Sequence, residues 1–286
     1  FKEVFKDIPN HRSSHKLTTI RGAGICFIIP LLFYSLIKGY FIPLLCFPLA
    51  LIGFIDDKNT VSNKVKFFVQ FSTSLLIILN SSIFISPNSV ILRIIFYILL
   101  ILIFSTIVNF INFMDGLDGL VSGCMFIIFL FISIFQNPIF LTLSASLAAF
   151  MFWNWQPAKV FMGDSGSLFL GAIFSSVVFN SSSYIDFISL ILLATPLFFD
   201  SLFTLIARFK ANQNIFTPHK LHLYQRLNQA GWSHRRVSSM YVLSTLILCA
   251  TNQFLGTTYL ALTSLIFILC GFYLNNSFAK SFSVTI

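Results

Sequence analysis

The stretch VILRIIFYILLILIFSTIVNFINFMDGLDGL, residues 90–120, decides the fold class. Residues 90–111 carry one charged side chain, Arg93. A bilayer core takes ~20 consecutive apolar residues as a helix. In lipid every backbone N–H and C=O must be satisfied within the protein, and a continuous apolar run does this as an α-helix. A membrane strand would alternate apolar and polar residues instead. The run then closes on Asn109, Asn112, Asp115 and Asp118, at the depth where carboxylates are costly.

Working outward, the whole chain repeats the pattern. Of 286 residues, 57% are hydrophobic and 9% charged, and 37 are Phe. Soluble domains average about 25% charged residues, so this set cannot cover a water-facing surface. Apolar runs recur at roughly 23–38, 39–54, 66–86, 90–111, 120–136, 138–155, 167–181, 185–206, 237–254 and 257–275. The expectation is an all-α, polytopic transmembrane bundle of about ten helices. It forms one integral membrane domain over residues 1–286, and with Phe at position 1 it is expected to lack its natural N-terminal helix. The five cysteines lie in apolar stretches with no Cys-x-x-Cys pair, which reads as packing.

The net charge of +9 is unevenly placed. Lys2, Lys6, Arg12, Lys16 and Arg21 precede the first run. Lys58, Lys64 and Lys66 occupy a second polar loop, and Arg208, Lys210, Lys220, Arg226, Arg235 and Arg236 fill a long one. The alternate loops are nearly free of Lys and Arg. Cytoplasmic loops carry the basic excess, so these loops are expected on the cytoplasmic side of the membrane. The basic charge serves orientation and lipid headgroups, and no nucleic-acid partner is expected.

Nine Asp and Glu residues exist, and five fall in three short segments. These are GFIDDKN (Asp56, Asp57), NFMDGLDG (Asp115, Asp118) and VFMGDSGS (Asp164). Taken singly, the first could cap a helix and the last could be a turn. Together, all in loops assigned to one face, they read as a shared site. Asn109, Asn112, Asp115 and Asp118 recur every three residues, which puts the asparagines on one helix face. Gathered carboxylates stay ionised only beside cations, and a hard divalent ion with oxygen ligands suits them. Mg²⁺ characteristically combines one or two carboxylates with waters and substrate phosphates. Basic side chains nearby suit phosphate oxygens. The combination describes phosphoryl transfer, in which positioning and charge stabilisation dominate. In TPHKLHLYQRL, His219 and His222 flank Lys220 and precede Arg226. No further nitrogen or sulfur ligand lies near enough for zinc. Diphosphate binding is the expectation.

The ordered segments resemble the polyprenyl-phosphate N-acetylhexosamine-1-phosphate transferases, the MraY- and WecA-like integral membrane enzymes of bacteria. DIPNHRSSHK (7–16), GFIDDK, NFINFMDGLDGL, VFMGDSGSLFLG and PHKLHLYQRL match in order over nearly the whole chain. The resemblance implies transfer of a sugar 1-phosphate from a UDP-N-acetylhexosamine to undecaprenyl phosphate, releasing UMP. It implies Mg²⁺, with Mn²⁺ as a substitute, and a bilayer-embedded chain, with a homodimer as the expected partner state. By matching position, Asp164 is the metal ligand, and Asp56 and Asp57 engage the lipid phosphate. Asn112 and Asp115 line the site, and Asp118 helps recognise the nucleoside. Asn109, His219, His222, Lys220, Arg226, Lys16 and Arg21 are assigned to substrate.

Two departures are visible. TTIRGAG (18–24) lacks both prolines of the usual Pro-Thr-Pro-Arg-Gly-Gly-Gly segment. The lysine after the paired aspartates is displaced, with Lys58 or Lys64 as substitute. The His-x-x-His spacing followed by Tyr-Gln-Arg-Leu looks like the branch that starts O-antigen or other surface polysaccharides. The phospho-N-acetylmuramoyl-pentapeptide transferase of peptidoglycan synthesis is the alternative. A transporter is the alternative of another class, prompted by Asp200 within an apolar run.

Overall fold

The computed structural model describes residues 6–7, 18–81, 89–215 and 217–282. Two short strands, β1 (Lys6–Asp7) and β2 (Thr19–Ile20), pair antiparallel with Asp7 opposite Thr19. Among the described residues, everything else regular is helical. The order is α1 (Ile25–Lys38), α2 (Ile42–Lys58), α3 (Asn63–Leu79), α4 (Val90–Phe113), α5 (Leu120–Phe135), α6 (Leu141–Asn154), α7 (Gly163–Phe179), α8 (Tyr184–Leu193), α9 (Thr195–Lys210), α10 (Leu223–Gln229), α11 (His234–Leu255) and α12 (Thr257–Ser277).

Each apolar run expected from sequence overlaps a helix, the end of the run at 66–86 lying outside the described residues, and the run at 185–206 forms two. α8 and α9 meet at 76° across a one-residue break. Pro196, in the first turn of α9, lacks the N–H that a continuous helix would donate there. By length and composition α4 and α12 can each cross a membrane, and the α8–α9 pair makes a third if it is one span. α1, α5 and α7 are shorter apolar helices. The seven-residue α10 has no counterpart in the apolar pattern.

The outside of α4 is a stripe of exposed Ile91, Ile94, Ile98 and Leu102. An apolar surface this extensive is a lipid-facing one. Further along α4, Phe104, Val108 and Ile111 turn inward and are buried. They meet α7, the axis of the bundle, in which every residue from Ser165 to Phe179 is buried. α7 packs chiefly against α2 and α4. Its Gly- and Ser-rich first half admits close backbone approach, the usual route to helix association in a bilayer. A second group forms where α11 lies against α5 and α12.

This arrangement brings one set of termini together. The ends of α2 and α4, the starts of α3 and α7, and the segment before α1 meet at one end of the bundle.

Candidate active site

The first N–H groups of a helix have no partner within it. At the start of α7 that need is met by Asp57, on the last turn of α2. Asp57 Oδ1 accepts from the Asp164 N–H at 2.8 Å. Oδ2 accepts from the Ser165 N–H at 3.1 Å and its hydroxyl at 2.9 Å. Gly163 enters the helix at φ 73°, and a β-carbon there would collide with the Asp57 carboxylate. Glycine is therefore required for both backbone and space. The partial positive charge of a helix N-terminus adds to the match.

Arg21 ties this cap to the metal candidate. Its Nε lies 2.8 Å from Asp57 Oδ1 and its Nη2 2.6 Å from Asp164 Oδ1. The guanidinium is placed by backbone pairing around it. Ile20 bridges Val160, Phe161 N–H donates to Ile20 O at 2.7 Å, and Ala23 N–H donates to Phe161 O at 3.0 Å. Arg21 is thereby pinned beside the start of α7, although TTIRGAG lacks the expected prolines.

Lys66 closes the other side. Its Nζ lies 2.5 Å from Asp56 Oδ2 and 3.3 Å from Asp164 Oδ2. Asp56 Oδ1 also accepts from the Val61 N–H at 2.7 Å. This corrects the expectation that Lys58 or Lys64 takes the role, since both are exposed. Lys66 lies on the inward stripe of α3, with buried Gln70, Thr73 and Ile77 at helical spacing behind it. That periodicity was the available signal.

Asn112, at the end of α4, accepts from Ser167 Oγ of α7 at 2.6 Å. Asn109 sits half-buried one turn earlier. Asp115 follows in the turn after α4. Loss of solvent around its carboxyl pushes it up to about 7, against the pull of Arg21, and Asp164 and Asp57 push the same way. Four carboxylates thus share two cations, Arg21 and Lys66. The side chains grade from enclosed to open: Asp57 is 0% exposed, Asp56 14%, Asp164 19%, Lys66 25% and Arg21 34%. The excess negative charge and the all-oxygen donors fit a hard divalent cation. Among the described residues no three His, Cys, Asp or Glu side chains already stand as a metal cage. Arg21 and Lys66 lie between the carboxylates.

The histidine segment docks beside this cluster. Tyr224 OH donates to Phe113 O at 3.1 Å. It lies where a β-carbon on Gly116 would be, so only glycine leaves it room. Burial, then Asp200 and Asp115, hold the Tyr224 hydroxyl well above its ordinary range. The His222 ring lies 6.2 Å from that of Phe113 and 4.9 Å from that of His219. Burial, aided by His222 and Arg208, lowers His219 to about 3, so it stays neutral.

Several expected site residues are placed elsewhere. Asp118 is buried with its carboxylate already engaged, accepting from the Ala158 N–H at 3.1 Å and lying 3.1 Å from His234 Nδ1. Arg226 is buried and turned away from the cluster. It donates to Leu221 O at 3.1 Å, to Lys280 O at 2.9 Å and to Asn275 Oδ1. Lys220 lies in the loop before α10, where its carbonyl accepts from Gln229 Nε2. Lys16 lies outside the described residues. Asp200, which prompted the transporter alternative, is buried with its carboxylate taken up by the N–H groups at the start of α10. Ser165, Ser167 and Tyr224 were not foreseen, because their roles depend on contacts across the chain.

The family described as Glycosyl transferase family 4 matches residues 40–182. A probable undecaprenyl-phosphate N-acetylglucosaminyl 1-phosphate transferase of Bacillus subtilis is 32% identical, covering 80% of this chain and 71% of the relative. An undecaprenyl-phosphate alpha-N-acetylglucosaminyl 1-phosphate transferase of Thermotoga maritima is also 32% identical, covering 78% and 72%. A phospho-N-acetylmuramoyl-pentapeptide-transferase of Staphylococcus saprophyticus is 29% identical, covering 79% and 81%.

Proposed function

The chain belongs to glycosyl transferase family 4, and from that premise we propose that it moves an N-acetylhexosamine 1-phosphate from a UDP-sugar to undecaprenyl phosphate, with Mg²⁺ as cofactor and Mn²⁺ as a substitute. One observation carries the reading. Arg21 and Lys66 each bridge Asp164 to one member of the Asp56–Asp57 pair, so three distant segments supply one charged cluster.

The reaction needs a bond from a lipid phosphate oxygen to the β-phosphorus of the donor. The bond from that phosphorus to the bridging oxygen breaks, and UMP leaves with its electron pair. No oxidant or reductant is involved. A bound Mg²⁺ would neutralise the donor diphosphate and steady the departing phosphate. Asp164 and Asp115, with Asn112 beside them, are the residues to hold it. Asp57 is occupied by the start of α7 and by Arg21, so its part is to keep Asp164 in place. Asp56 and Lys66 meet the acceptor phosphate. Arg21 is free to turn from carboxylate to phosphate when the cation arrives, since its planar fork suits both. His219 and His222 face the sugar phosphate.

Lipid phosphate and soluble nucleotide can meet only at an interface. We assign the cluster to the cytoplasmic face of the bacterial inner membrane, on the strength of the basic loops around it. The ten apolar runs, with α8 and α9 taken as one and α10 left out, serve as about ten crossings of one domain, and a homodimer is the proposed assembly. The His-x-x-His spacing and the two relatives at 32% identity favour UDP-N-acetylglucosamine or a deoxy variant as donor and surface-polysaccharide initiation as the role.

The test is UMP release by purified protein with undecaprenyl phosphate, Mg²⁺ and a panel of UDP-sugars. Release with UDP-N-acetylglucosamine and none with UDP-N-acetylmuramoyl-pentapeptide is expected. The reverse preference would move the assignment to peptidoglycan synthesis, and no release from any donor would reject it.

A further inference from the structure

Asp200 stands apart from the charged cluster and is fully buried on α9. Its Oδ1 accepts from the Leu223 N–H at 2.7 Å, and its Oδ2 from the Tyr224 N–H at 2.9 Å and the Tyr241 hydroxyl at 2.7 Å. Thr204 Oγ1 donates to Oδ1 at 3.3 Å, and His222 Nδ1 lies 3.4 Å from the same oxygen. Elements α9, α10 and α11 therefore meet on one carboxylate. The nearby arginines do not answer it, since Arg208 and Arg226 are turned to backbone carbonyls.

Burying an acid is costly unless every lone pair is used. The cost is met here at a place with a consequence for the site. The residues that Asp200 grips, Leu223 and Tyr224, immediately follow His222, and Tyr224 reaches across to Phe113 O at the edge of the Asp115 loop.

We propose that Asp200 is a positioning residue of this active site: it holds the His219–Tyr224 turn, and with it the His222 ring, against the Asp115 loop. His222 Nδ1 lies 3.4 Å from Asp200 Oδ1 without a hydrogen bond, so it is the turn, held at Leu223 and Tyr224, that places the ring. The tautomer of an imidazole is fixed by the bond its other nitrogen makes. His219 Nδ1 accepts from the Leu221 N–H at 3.2 Å, so its proton lies on Nε2, where it can donate to a phosphate or sugar oxygen. The inference rests on the transferase reading above.

The experiment is a double-variant cycle on UMP release with UDP-N-acetylglucosamine. Asp200→Asn keeps the shape but puts an amide donor where an N–H or hydroxyl must be accepted. With an unchanged gel-filtration profile, kcat should fall roughly 10- to 100-fold, the scale of a small misplacement of catalytic groups. His222→Ala with Asp200→Asn should be no slower than His222→Ala alone, because both act through one imidazole. Losses that multiply, or full activity in Asp200→Asn, overturn the proposal while leaving the transferase reading intact. A wild type that releases no UMP takes down both. If Asp200→Asn does not fold, Tyr241→Phe replaces it in the cycle. It removes a single donor and should slow the wild type about 3-fold but not the His222→Ala enzyme. Equal slowing in both backgrounds overturns the proposal.

Discussion

Asp57 and Asp200 solve the same local problem with different surroundings. Each is a buried aspartate that accepts from successive N–H groups at the start of another helix: Asp164 and Ser165 for one, Leu223 and Tyr224 for the other. Around Asp57 stand Arg21 and further carboxylates, and the cluster opens outward through Asp164 and Lys66. Around Asp200 stand two backbone N–H groups, two hydroxyls and an imidazole, all enclosed. The capping bond is common to both and so does not mark a site. What separates them is charge balance. Neutral donors can settle a single carboxylate, whereas four carboxylates with two cations leave a charge that a divalent ion and phosphates can complete.

That contrast predicts a ranking of effects on UMP release. Asp164→Asn should have the largest, a loss of roughly 10³-fold with the protein still monodisperse in detergent, as expected when a group stabilising transition-state charge is removed. Wild-type turnover in this variant would mean that the cluster is structural. Arg21→Lys should follow, losing about 10²-fold, because a point ammonium cannot span two carboxylates as the planar fork does. Thermal stability should change little by comparison, and a large melting shift with normal kcat would reverse the assignment. Lys66→Met should cost about 10-fold and Lys64→Met nothing measurable, since exposed charges contribute little. Equal effects would erase the distinction between the inward and outward faces of α3.

The smallest expected effect is one of pH. The folded chain holds Asp115 at about 7, whereas an unfolded chain releases that proton near ~4. Without metal, stability therefore falls as pH rises across that window, and the loss is complete above about 7. A metal bound there displaces the proton, so apparent Mg²⁺ affinity should climb severalfold between about pH 6 and about pH 8. Asp115→Asn should flatten the climb, measured as the half-saturating Mg²⁺ for UMP release at each pH. A slope unchanged in that variant would assign the proton to another group.

The fold was legible to the extent that lipid dictates it. Apolar length located every long helix, because a bilayer leaves the backbone one way to bond itself. The break between α8 and α9 and the short α10 were not legible. They depend on Pro196 and on the Asp200 carboxylate, a contact 23 residues along the chain. In the site, Asp56, Asp57, Asp115 and Asp164 stood out because acids are scarce in such a chain. Sequence separated them poorly from Asp118, whose carboxylate is taken up by Ala158 and His234. It also could not tell that Asp200, the prompt for the transporter alternative, caps α10, or that Arg226, assigned to substrate, is held by backbone and Asn275. Nothing local distinguishes an arginine facing substrate from one that secures Lys280 and Asn275. Lys66 was within reach, had the α3 stripe been followed inward from Gln70.

The central claim is that Asp164 and its neighbours bind one divalent ion where the two phosphates meet. Mn²⁺ titration followed by electron paramagnetic resonance, with and without UDP-N-acetylglucosamine, tests it most directly. The account predicts one saturable Mn²⁺ per chain whose signal changes on adding nucleotide sugar, lost in Asp164→Asn and retained in Lys64→Met. An Asp164→Asn protein that binds Mn²⁺ as the wild type does, with the same response to the donor, would contradict it.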